Sequence, residues 1–132
     1  FIPHVTLINV TERDMPRLKA AAAALPVLDK LVLDGVNFLP DKAGNCVWVE
    51  LRTQKTAWMV EARQQLLAAL DGIYPGLDVD GFRPHITLGC VEAGTLDDVN
   101  MSAIPGQLPV ITEPRAAACY NGVHGKVVEV VE

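Results

Sequence analysis

The sequence predicts an α+β fold, and three observations carry that prediction. Short apolar, β-branched runs take turns with two longer segments of helical period. Several of the runs come in pairs joined by turn-forming residues, which implies antiparallel rather than parallel pairing. Neither G-x-G-x-x-G nor G-x-x-x-x-G-K-[ST] occurs, so the usual dinucleotide and P-loop readings fall away. The 132 residues suit one domain, and half are apolar against 20% charged, which excludes a disordered chain.

The elements follow in order. Residues 5–10 are apolar and β-branched and read as a strand. Asp14-Met15-Pro16 opens a helix, with Asp14 as N-cap and proline just inside, and the alanine run 20–24 continues it up to Pro26. Residues 31–38 form a strand ended by Pro40, 40–45 turn, and 46–52 form the partner strand. Between 55 and 70 there is neither Pro nor Gly, and Trp58, Ala62, Leu66 and Ala69 make one stripe, with Met59, Leu67 and Leu70 beside it. Gly72 stops this helix, and Pro75-Gly76 follows. Residues 83–91 read as a strand and 95–100 as a short helix capped by Thr95. The proline-punctuated stretch 105–114 is a loop with a strand start at Val110. Two last apolar segments, 115–120 and 126–131, are joined through Asn121-Gly122.

Charge and cysteine usage narrow the function. Sixteen acidic against 11 basic residues give a net charge of −5, which argues against coating nucleic acid by bulk electrostatics. It leaves room for a local anion pocket. No apolar run approaches the roughly 20 residues that span a bilayer, and no secretory leader is visible. The chain starts at Phe1 rather than Met, so a segment upstream can have been removed. Cys46, Cys90 and Cys119 are widely spaced and odd in number, and are expected as free structural thiols in a reducing, cytoplasmic setting.

One pattern occurs twice. Pro3-His4-Val5-Thr6-Leu7 returns as Pro84-His85-Ile86-Thr87-Leu88. Chance produces such a coincidence on the order of a few times in a million at this composition. Two related halves, each delivering one copy of the same local device, are expected. On a strand each pentad sets its His and Thr on one face about 6–7 Å apart, with Val5 and Leu7, or Ile86 and Leu88, packed the other way. Two imidazoles and two hydroxyls that converge on one groove suit a phosphodiester. A neutral His takes a proton from water, and a protonated one gives a proton to the departing alkoxide. The Thr hydroxyls donate to non-bridging phosphate oxygens, where charge builds. Neither His has a carboxylate or thiolate at i±2 or i±4, so no metal site and no cofactor are expected. Asp78 and Asp80 read as solvated turn residues before Gly81, and His124, between Gly122 and Gly125, as a loop residue.

With both pentads in view, the chain resembles the 2H phosphoesterase superfamily, whose mark is two His-x-Thr/Ser motifs flanked by apolar residues. The run Phe82-Arg83-Pro84-His85-Ile86-Thr87-Leu88 is especially similar to the bacterial 2′-5′ RNA ligase and cyclic phosphodiesterase branch. The segments 31–52 and 55–70 stand where that family has them, so the resemblance covers most of the chain. It implies a bilobal domain over 1–132, with two antiparallel sheets related by a pseudo-twofold around a central cleft and helices outside. It also implies metal-independent opening or forming of phosphodiesters at RNA or nucleotide ends, commonly 2′,3′-cyclic phosphates.

By the same resemblance His4 and His85 are the catalytic histidines, and Thr6 and Thr87 bind the substrate phosphate. His85 is then the base toward water and His4 the acid toward the leaving ribose oxygen, roles that ligation exchanges. Arg83 is a candidate phosphate ligand or, equally, a surface strand residue. Members usually carry a strand and a helix before the first motif, which here begins three residues from the start. These are expected upstream, on another chain, or missing altogether. Three alternatives keep both pentads: a 2′-5′ RNA ligase, a non-catalytic nucleotide-binding domain of a larger scaffold, and a structural interaction domain with relic symmetry.

Overall fold

A computed structural model describes residues 3–25, 28–70, 81–94, 108–123 and 125–131. Its central feature is a hairpin of β1 (Leu31–Pro40) and β2 (Cys46–Thr53), paired antiparallel from Leu33↔Thr53 to Pro40↔Val47. Asp41 builds the turn between them. Its carboxylate accepts the Asn45 N–H at 2.9 Å, and its carbonyl accepts the Gly44 N–H at 3.1 Å. Gly44 has φ +74°, which a residue without Cβ adopts at no steric cost. β3 (His85–Glu92) adds to β2, and β4 (Val110–Thr112) adds to β1, giving the order β3-β2-β1-β4 with every pair antiparallel.

One face of this sheet is apolar. Leu33, Leu51 and Ile86 are buried there, with Val5, Val36 and Val110 packed against them. Period-two alternation sends the neighbours of Leu51 and Ile86 to the opposite face, which carries the polar side chains described below.

The chain clusters into two compact units. Among the described residues, the first is drawn from Phe1–Thr6, Leu31–Gln54 and Arg83–Thr112, the second from Leu7–Lys30, Lys55–Phe82 and Glu113–Glu132. The pentads are therefore not shared one to a unit: His4, Thr6, His85 and Thr87 all belong to the first. Residues 5–10 are not a strand either. The alternation expected of them survives in part, with His4 and Thr6 exposed and Val5 half-buried on the core.

The second unit holds α1 (Met15–Ala23), α2 (Ala57–Ala68) and a two-stranded antiparallel sheet of β5 (Ala117–Gly122) and β6 (Gly125–Val130). Asp14 stands at the N-cap of α1 with Pro16 just behind it, but its carboxylate makes no cap bond and accepts the Thr11 hydroxyl at 3.0 Å instead. The buried stripe of α2 is Met59, Ala62, Arg63 and Leu66, continued by Leu70. It is rotated from the expected one, since Trp58 stays half-buried and donates its indole N–H to the Lys30 carbonyl at 3.2 Å. Arg63, 6% exposed, is the unexpected member. Its Nε donates to the Leu7 carbonyl at 3.2 Å, and its guanidinium lies 5.0 Å from the centre of the Phe82 ring. A backbone carbonyl that a ladder would use is thus taken by a side chain.

The β5–β6 ladder runs on to Gly122↔Gly125, past the expected turn at Asn121-Gly122, with Gly125 at φ +115°. On α1, Lys19 pairs with Glu129 of β6, which also accepts the Tyr120 hydroxyl at 3.1 Å. No described helix is long and apolar enough to cross a membrane. Gly72, Pro75-Gly76, Asp78, Asp80, the helix expected at 95–100 and His124 lie outside the described residues.

Cysteine usage departs from expectation. Cys46 and Cys90 form a disulfide with Cα atoms 6.2 Å apart, while Cys119 is free and exposed. A sequence separation of 44 conceals a short path through the sheet. Register pairs Trp48 with Cys90 and Cys46 with Glu92, so the two cysteines are diagonal neighbours across β2 and β3. The inference of a reducing compartment therefore loses its basis in unpaired thiols.

Candidate functional site

The polar face of the first unit's sheet is organised in rows. Asn37, Glu50 and Thr87 lie opposite one another across β1, β2 and β3. On one side of that row stand Gly35, Arg52 and His85, and on the other Leu39, Trp48 and Cys90. A register shift at Val49/Glu50 leaves Leu88 unpaired and half-exposed rather than packed inward as its pentad predicts. Leu39, Trp48, Glu50, Arg83, His85 and Thr87 line a pocket of about 310 Å³, the small end of the range for ligand clefts.

Glu50 is the floor of this pocket and is 2% exposed. A buried carboxylate must be hydrogen-bonded, and this one is. Arg83 grips both oxygens, with Nη1 on Oε1 and Nη2 on Oε2 at 3.3 Å, and the Asn37 amide donates to Oε1 at 3.3 Å. Burial pushes the Glu50 carboxyl up, but the bonds from Arg83 and Asn37 and the charges of His85 and Arg83 outweigh it. The group is held below the usual carboxylate range.

His85 is oriented from both sides. Its Nδ1 lies 2.8 Å from the Arg83 carbonyl, which can only accept, so Nδ1 carries a proton. That leaves Nε2 turned toward Glu50, 3.5 Å from its Oε2. In the neutral ring Nε2 offers a lone pair, and in the charged ring it offers a proton. Beside it, Arg52 donates to Asp34 Oδ1 at 2.8 Å and lies over Gly35, where an added Cβ would meet the guanidinium at 3.1 Å.

Of the residues singled out in the sequence, the structure brings together His85, Thr87 and Arg83. His4 and Thr6 are not in the lining of this pocket, although both belong to the same compact unit. Arg83 is neither a bare surface residue nor an uncommitted cation, because it serves Glu50. Sequence reasoning passed over Glu50, Trp48, Leu39 and Asn37. One signal was available: in the strand 46–52, Trp48, Glu50 and Arg52 share a face, and a carboxylate between Val49 and Leu51 marks that face as polar.

No family model matches the chain, and none of the curated proteins does. Among solved structures it is similar to the crystal structure of TT0787 of Thermus thermophilus, with a TM-score of 0.54 and 19% identity. The likeness covers 98% of this chain and 75% of that one. At this identity it shows a shared fold alone.

Proposed function

We propose that the chain is a phosphoesterase of the 2H type, opening 2′,3′-cyclic phosphates of RNA ends or nucleotides by acid–base catalysis without a metal. The observation that supports this reading is the repeated Pro-His-apolar-Thr-apolar pentad. The pocket at the second copy supplies one half of the set the reaction needs, with Nε2 of His85, the Thr87 hydroxyl and a guanidinium along its lining.

In this reading His85 takes a proton from water through Nε2, and the water oxygen forms a bond to phosphorus. The bond from phosphorus to one ribose oxygen breaks, and His4 supplies the proton that makes that oxygen a hydroxyl. The Thr6 and Thr87 hydroxyls donate to the non-bridging oxygens as charge builds there. Arg83 contributes positive charge at the rim while Glu50 holds it in place. The substrate class suits the cytoplasm, a setting that the Cys46–Cys90 disulfide does not favour.

The test is product analysis after incubation with a panel of nucleoside and RNA-terminal 2′,3′-cyclic phosphates in excess chelator. Ring-opened monophosphate is the expected product. A ligand retained but recovered intact would make the chain a nucleotide-binding domain. Joining of RNA ends would make it a ligase. Activity lost in chelator and restored by zinc or manganese would overturn metal independence.

A further inference from the structure

The pocket has two unlike walls. His85, Thr87 and Arg83 are polar, and their chemistry suits an anion. Opposite them stand Trp48 and Leu39, directly paired across β1 and β2. Trp48 is 45% exposed and Leu39 37%, although both line a pocket with a buried charged floor. Trp48 lies two residues from Glu50 on β2, hence on the same face and about 7 Å along the strand. Thr87 faces Glu50 from β3. An apolar shelf therefore begins one same-face row, about 7 Å, from the hydroxyl that suits a phosphate oxygen.

We propose that Trp48, supported by Leu39, is the nucleobase platform of this site and fixes its ligands as nucleoside rather than plain sugar phosphates; this rests on the phosphoesterase reading above. Position argues for it. Trp48 lines the same pocket as Thr87 and Arg83 yet is 45% exposed, so its indole is open to a base whose phosphate meets those polar groups. Chemistry argues for it as well. Every base has a π-face, so an open indole takes any of them by stacking, and the wall formed by Trp48 and Leu39 brings no charge against a neutral ring. The platform belongs to β2, a central strand of the four-stranded sheet, so it is held rigidly.

Two readouts test the platform, one independent of turnover. Adenosine 3′-monophosphate should quench the tryptophan fluorescence of the wild type, ribose 3-phosphate should not, and Trp48→Phe should abolish the quench. In turnover of adenosine 2′,3′-cyclic phosphate, Trp48→Ala should raise KM on the order of 10-fold and leave kcat within about twofold. Trp48→Phe should keep a KM near that of the wild type, and Trp48→Ala should raise KM for the nucleotide more than for a ribose 2,3-cyclic phosphate without base. Turnover with KM unchanged in Trp48→Ala and no quench would overturn the platform and leave the phosphoesterase reading intact. Quench by the nucleotide without turnover of any cyclic phosphate would do the reverse. Neither quench nor turnover would remove both.

Discussion

Glu50 is the residue on which the site's geometry turns, because it holds the Arg83 fork and faces Nε2 of His85 from beneath. Its carboxyl is held below the ordinary Glu value, so its contribution to stability is complete above that value and disappears as pH falls through the lowered one. Acid unfolding of the wild type should therefore steepen below about pH 4.3, and Glu50→Gln should flatten that part of the curve. An identical acid limb in the variant would show that another carboxylate governs it. Arg83→Ala leaves the buried carboxylate with Asn37 and His85 only, at a cost of about 1–3 kcal/mol in a denaturant titration. Thr6→Ala and Thr87→Ala should each lower kcat on the order of 100-fold with little change in KM. A raised KM at constant kcat would mean that the hydroxyls only hold substrate. The division of labour between the histidines is read with a substrate whose leaving group needs little protonation. It should rescue His4→Ala far more than His85→Ala, and the opposite rescue would exchange their roles.

The pairing of β2 with β3 is the element that builds the site, since it alone brings Glu50 opposite Thr87 and Cys90 within reach of Cys46. In protein purified in air, thiol titration of the native chain should find one reactive group, Cys119, and three after reduction. Reduction should lower stability by at most about 4 kcal/mol, the loop entropy of a cross-link of this span. Three thiols at the outset would contradict the cross-link. Both results depend on register, which is also where legibility in the sequence ends. Period and punctuation placed β1, β2, α2 and β3 to within a few residues, because alternation and proline act locally. The second pentad announced His85 and Thr87 for the same reason. Glu50 and Trp48 reach the pocket only through cross-strand pairing, and the Cys46–Cys90 contact is equally non-local. The segment 5–10 misled because apolar β-branched residues state a preference, whereas here Arg63 binds the Leu7 carbonyl and Val5 anchors the chain by its side chain.

In the molecule as a whole, one four-stranded sheet carries the pocket, and the sequence carries the pentad twice. The repeat led to an expectation of one pentad in each half. Contacts within the chain instead group both copies, as far as Thr6 of the first, in one compact unit. If the two histidines act together on one phosphodiester, as proposed, kcat/KM should depend on pH in a bell. The most direct test is kcat/KM for adenosine 2′,3′-cyclic phosphate, in excess chelator, for the wild type, His4→Ala, His85→Ala and the double variant. Each single variant should lose on the order of 10²–10⁴-fold and the double little more, as for groups that work as a unit. Wild-type activity in the double variant would contradict the proposal.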